Sequence, residues 1–162
     1  MGGPKDKEPP KLITSSPSNQ STSISPEKIV LIFDEYVGLE NASKGVVITP
    51  KINKDLLEFT ALKNTITVLL KQELEDSTTY AFDFQKSVVD ISERNPAENL
   101  KLVFSTGDQI DSLSLSGSLR FNYSEQSEDY RNVLVGIYPL DDSTNVFTAP
   151  PYYLAQVDTL GN

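Results

Sequence analysis

The sequence has no cysteine and no histidine among its 162 residues. The first absence excludes a disulfide framework, a zinc ribbon and a thiol nucleophile. It fits a cytosolic protein, and equally an exported one that rests on a full-sized core. The second removes the usual general base of nucleophilic triads and the commonest transition-metal ligand. No apolar run approaches the roughly 18–20 residues that span a bilayer, and no signal-peptide pattern opens the chain. Met1 followed by Gly-Gly-Pro reads as an expression start placed on a processed chain. Basic residues are scarce: 14 Lys and Arg stand against 23 Asp and Glu, a formal net charge of −9. No stripe of positive charge is available to neutralise phosphates, so nucleic acid is excluded as a partner. Anionic lipid headgroups repel the same charge, which serves solubility.

What is present is β-patterned. Residues 1–11 and 14–26 are rich in Pro, Ser, Asn and Gly; 1–8 read as a flexible tether, followed by a short edge strand around Leu12 and Ile13 and a Ser/Pro turn segment. Residues 27–37 (EKIVLIFDEYV) form the first strong strand, with Ile29, Leu31 and Phe33 on one face. A β-branched run follows at 45–49. Residues 56–62 and 65–70 flank Lys63 and Asn64, a hairpin tip, and Ile66 and Val68 alternate with Thr65 and Thr67. Residues 78–85 alternate most clearly, with Tyr80, Phe82 and Phe84 on one face, and residues 100–106 align Leu100, Leu102 and Phe104. A polar loop, 90–99, separates these two strands. Residues 69–76 are the best helix candidate, but the segment is short and Leu70 is better used to end a strand. About seven short strands at this spacing predict an all-β antiparallel sandwich over 9–107. Its expected structural residues are Phe33, Tyr80, Phe82, Phe84 and Phe104. A linker is expected at 108–112, then three more strands at 113–123, 132–139 and 152–158. Three strands without a covering sheet imply an incomplete second module over 113–162 that continues beyond Asn162.

Leu74, Thr78 and Tyr80 have the spacing Leu-x-x-x-Thr-x-Tyr, which resembles the tyrosine corner of immunoglobulin-like sandwiches. The alternative is a Tyr that merely alternates into a core. More of the chain matches in order. Pro9 and Pro10 precede a strand closing on Ser16 and Pro17, and residues 32–37 carry an apolar-Phe-Asp-Glu-x-Val pattern around Phe33, Asp34 and Glu35. Asp90, Asn95 and Pro96 lie in the penultimate loop, with Glu93 and Arg94 where Gly is common, and 104–107 read Phe-Ser-Thr-Gly. Residues 9–107 thus resemble the bacterial immunoglobulin-like domain of surface-layer and secreted envelope proteins. The start Gly-Gly-Pro-Lys-Asp is similar to envelope lipoproteins of Bacteroidetes-type bacteria, in which a lipidated cysteine precedes it. Residues 113–162 resemble the opening of a carboxypeptidase-regulatory-like or collagen-adhesin-B-like sandwich, through Gly117, residues 132–138 and residues 158–162. The resemblance implies an immunoglobulin-like Greek-key sandwich followed by a partial β-sandwich module. It also implies an extracytoplasmic, outer-membrane lipoprotein that touches the membrane only through its anchor.

Little chemistry competes with a structural role. Asp34 and Glu35 are adjacent on a strand, so their carboxylates point apart and cannot act as a pair. The acidic loops around Asp129 and Asp141 read as solvated. Calcium is the one ion worth weighing: Asp90, Glu93 and Asn95 offer hard oxygens from one loop, and Asp108 and Asp111 could add more. No EF-hand spacing supports it, so no metal and no cofactor are expected. The similar sandwich of periplasmic copper-resistance proteins binds copper through histidine, and this chain has none. The expected function is non-catalytic: a rigid β spacer of the cell envelope. The alternative is a module binding carbohydrate or protein at the cell surface through loops or exposed tyrosines (Tyr123, Tyr130, Tyr138, Tyr152, Tyr153). Adjacent Tyr152 and Tyr153 on a strand would point to opposite faces. A homo-oligomer through the incomplete second module is a further expectation.

Overall fold

The computed structural model describes residues 7–112, 116–119, 133–138, 140 and 145–157. The chain divides into two compact units: Met1–Ile48 with Ile52–Asp111, and Thr49–Lys51 with Ser112–Asn162.

Residues 12–105 form nine strands: β1 (Leu12–Ser16), β2 (Lys28–Phe33), β3 (Val37–Leu39), β4 (Val47–Thr49), β5 (Leu57–Leu62), β6 (Thr65–Leu70), β7 (Thr79–Asp83), β8 (Val88–Asp90) and β9 (Lys101–Ser105). One sheet has the order β1-β2-β6-β5 and another β4-β7-β9, while β3 pairs β8. With β3 and β8 set aside, the remaining seven reproduce the ABED and CFG sheets of an immunoglobulin constant-type sandwich. The period-2 alternation drives this arrangement. Ile29, Leu31 and Phe33 of β2, Ile66 and Val68 of β6, and Phe82 and Phe104 of the other sheet are each at most 1% exposed. They form one core with Val46, Ile52, Leu70, Leu74, Val88 and Leu100.

Several boundaries differ from the sequence-based expectation. The strand over 27–37 stops at Phe33, whose N–H donates to Asn64 O (2.8 Å) while the Asn64 side chain donates to Phe33 O (2.9 Å). The chain then bends, and Val37 opens β3 against β8 instead of prolonging β2. The run at 45–49 is a strand only from Val47, because Gly45 ends a one-turn helix, α1 (Ala42–Gly45). A Cβ at Gly45 would meet the Ser87 hydroxyl, which would have to turn away to admit it. Residues 69–76 are not helical, and Leu74 is buried in the crossing from β6 to β7. The 90–99 loop is shorter than it looks in sequence, because β8 reaches Asp90 and Val89 bridges Pro96. Lys63 takes a left-handed φ of 56° at the β5–β6 turn.

In the second unit β10 (Leu134–Ile137) and β11 (Tyr153–Gln156) pair antiparallel, with Leu134 opposite Gln156 and Ile137 opposite Tyr153. Of the strand expected over 113–123 only 116–119 are described, and they are not in a strand. Tyr123 and Tyr130 lie outside the described residues.

Candidate functional site

The direction of the strands decides where the first unit can be joined to anything else. Leu12 opens β1 opposite Phe33, the last residue of β2, so the chain enters at the pole where β2 ends. Lys11 is locked there: its N–H donates to Asp34 Oδ1 (2.8 Å) and Asp34 N–H donates to Lys11 O (3.1 Å). At the exit, β9 runs antiparallel to β7, with Lys101 opposite Asp83 and Ser105 opposite Thr79. The chain therefore leaves beside the start of β7, at the pole where β6 crosses over. Asp111 N–H donates to Thr79 Oγ1 (2.8 Å) there. Entry and exit are separated by at least a strand length, about 20 Å for six residues.

Each pole is fastened by a buried polar side chain. At the exit pole Tyr80, 3% exposed, accepts a hydrogen bond on its hydroxyl from Glu75 N–H at 2.9 Å. Burial pushes the phenol up from its ordinary pKa, the Glu75 N–H pulls it down, and the Glu75 charge adds to the rise. Thr106 completes the corner: Oγ1 donates to Glu75 O (2.7 Å) and accepts from Thr78 N–H (2.9 Å). The Tyr80 ring stacks on Phe104, as does Phe82, both at 5.9 Å between centroids. Phe33, Phe82, Phe84 and Phe104 are all interior.

At the entry pole the fastener is Asp90, only 2% exposed. Its Oδ1 accepts from the N–H groups of Ser92 (2.8 Å), Glu93 (2.6 Å) and Arg94 (3.2 Å), and Oδ2 accepts from Asn95 N–H (2.8 Å). Burial pushes this carboxyl up, but the four donors outweigh it and hold the pKa below the usual carboxylate range. Asp90, Glu93 and Asn95, the weak calcium candidates, do meet in one loop, but Glu93 and Asn95 turn N–H donors toward the Asp90 carboxylate rather than oxygens toward a cation. A loop interior lined by N–H groups holds an anion, here its own aspartate. Asp108 and Asp111 cannot join it, because β9 carries them to the opposite pole. Among the described residues, no three acidic side chains are grouped as a metal site.

Three further features had only faint signals in sequence. Lys54 donates to Val46 O (2.6 Å) and Ser43 O (3.1 Å), closing the end of α1, and burial lowers its ammonium pKa. Arg94 pairs with Glu40. Tyr36 and Ile91, 54% and 56% exposed, extend the β3–β8 ribbon as a cross-strand pair, with Ile91 N–H donating to Tyr36 O. Val88 and Val89 were the only clue to that ribbon. An open hollow of ≈ 580 Å³ also lies at this pole, edged by Asp83, Lys86, Glu98 and Lys101.

In the second unit the expectation for Tyr152 and Tyr153 needs correcting. Tyr152 precedes β11 and escapes its alternation, so the two rings touch edge to face, 5.0 Å apart at 77°. That is not the shared plane a sugar platform requires.

A model of the bacterial Ig-like domain matches residues 6–106, well over half of the chain. The chain belongs to this family. No curated protein matches it. Among solved structures, this bacterial Ig-like chain is similar to PcoC, a methionine-rich copper resistance protein from Escherichia coli. The identity is 20%, over 59% of this chain and 95% of that one, with a TM-score of 0.41. It is also similar to an L,D-transpeptidase from Mycobacterium smegmatis, at 12% identity, 62% and 41% coverage and a TM-score of 0.41. The N-terminal part of the bacterial S-layer protein SbsC matches at 20% identity, covering 94% of this chain and 32% of that one, with a TM-score of 0.39.

Proposed function

We propose that this bacterial Ig-like chain is a non-catalytic, extracytoplasmic module of the cell envelope, carried on a surface lipoprotein, that works as a rigid β spacer. The observation that carries the reading is the opposite placement of entry and exit. Lys11 is tied in beside Asp34 at one pole and Asp111 beside Thr79 at the other. A module threaded in this way adds its own length to whatever it joins. The buried groups with reactive potential support the reading, since the Asp90 carboxylate and the Tyr80 hydroxyl are each bonded to the backbone loop they secure. A second reading, a protein-binding module, is favoured by the exposed Tyr36–Ile91 pair at the entry pole.

Exchange of residues 7–111, in the native cell, for an unrelated β-sandwich of equal end-to-end length separates the two. A spacer tolerates the exchange, and whatever is joined at its exit stays accessible to antibody at the cell surface. Loss of a surface interaction with accessibility preserved would overturn the spacer reading in favour of the binding module.

A further inference from the structure

The outer face of the β1-β2-β6-β5 sheet has a composition unlike the rest of the surface. Strand register places Thr14, Ile32, Thr65 and Leu62 in one row across the four strands. The next row is Ser16, Val30, Thr67 and Thr60, and a third is Lys28, Leu69 and Glu58. The alternate residues of β2 and β6 fill the core, so these rows face outward. In a chain with 23% charged residues, the first two rows carry none. Leu62 is 71% and Leu69 37% exposed. The third row carries one charge of each sign, on the strands either side of β6.

We infer that this face docks a second copy of the chain, sheet against sheet, about a two-fold axis running along β6. Such a rotation keeps strand direction and exchanges left for right, so every row meets its own reverse. Thr65, Thr67 and Leu69 meet their own copies. Ile32 meets the partner's Leu62, Val30 the partner's Thr60, and Lys28 the partner's Glu58. Apolar groups therefore meet apolar or hydroxyl groups, and both charges meet their opposites. An axis along β2 would set Lys28 against the partner's Lys28, and one between β2 and β6 would set it against the partner's Leu69; of these three, the β6 axis is the complementary one. Glu58 already accepts from Lys71 at 2.8 Å, and a carboxylate has lone pairs for a second donor. Two chains of net charge −9 repel at most other approaches, so an uncharged face fringed by a self-complementary pair selects this one.

Three strands about 4.8 Å apart and three rows about 6.8 Å apart give a footprint of roughly 300 Å² per copy. Stable complexes bury about 800 Å² per partner. The association is therefore weak in dilute solution and gains strength where copies are held at high local concentration. The axis also points both entry poles the same way, as copies standing on one surface require. That last point rests on the spacer reading; the pairing itself does not.

Sedimentation equilibrium of the full chain, from micromolar to millimolar, tests the inference. The weight-average mass of the wild type should rise toward the dimer. Glu58→Lys, which sets Lys28 against the partner's Lys71 and a second lysine, should abolish the rise, and adding Lys28→Glu should restore it, an outcome that altered folding cannot imitate. Since the chain has no cysteine, Leu69→Cys provides a single thiol on the axis. A short bifunctional maleimide should link it into dimers, and should leave Thr14→Cys, on the uncovered strand β1, monomeric. A wild type that stays monomeric at millimolar concentration, or association indifferent to Glu58→Lys, would overturn the inference.

Discussion

Replacing Asp90 by Asn changes one atom in a fully packed place. The remaining carbonyl oxygen can keep the Ser92, Glu93 and Arg94 N–H donors, but Oδ2 becomes an NH₂ group facing Asn95 N–H. Donor then opposes donor, and the other bonds lose the negative charge that strengthens them. A hydrogen bond to a charged group contributes about 1.5–3 kcal/mol, and water can reach part of the exposed loop once it loosens. The expected cost is therefore about 2–4 kcal/mol. For a domain near 100 residues, each kcal/mol lowers Tm by about 4–8 °C. The loss should be plain in thermal unfolding followed by near-ultraviolet circular dichroism. Glu93→Gln is the control, since its side chain makes none of these bonds, and it should melt like the wild type. The pH dependence has a definite sign. The folded pKa of Asp90 lies below the unfolded carboxyl's value of about 3.9. Its contribution is thus complete above the unfolded value and is lost as pH falls through the folded one. The gap between wild type and Asp90→Asn should close over that acid range. An Asp90→Asn variant as stable as wild type at neutral pH would refute the role assigned to the carboxylate.

Other outcomes follow from the same packing. Tyr80→Phe removes the acceptor of the partly buried Glu75 N–H···Tyr80 bond and should cost about 0.5–1.5 kcal/mol in urea unfolding; no change would mean that the corner bond does not stabilise the crossing. Phe82→Ala, at a fully buried position against Phe104, should cost about 3–5 kcal/mol, and near-wild-type melting would contradict the core described here. Millimolar calcium should leave Tm unchanged, whereas a rise of several degrees reversed by chelator would show that the Asp90 loop can reorganise around a cation.

The parts of the fold written in period-2 alternation were legible from the sequence. β2, β6, β7 and β9 each place aliphatic or aromatic residues on one face, and the Lys63–Asn64 turn marks the β5–β6 hairpin. What stayed hidden depends on pairing between distant segments. Nothing local says that Phe33 must end its strand, because the stop is imposed by Asn64, thirty-one residues away. The β3–β8 ribbon is three residues on each side, too short for any alternation to register. Asp90 was visible as a loop carboxylate among oxygen-bearing neighbours. Whether those neighbours turn oxygens or N–H groups toward it is a backbone property, with Arg94 at a φ of 64°, that side-chain identity does not encode. Likewise, the linear order of Asp90, Asp108 and Asp111 suggests a cluster that the length of β9 pulls apart.

The separation of entry from exit is measured most directly by pulsed electron spin resonance on the Lys11→Cys/Asp108→Cys chain, spin-labelled at its two exposed thiols. A rigid spacer gives a single narrow distance distribution, centred at about 20–30 Å for a strand length plus the depth of the sandwich. A distance below about 15 Å, shorter than one strand, would place both ends at the same pole and contradict the spacer, as would a distribution as broad as that of an unfolded chain.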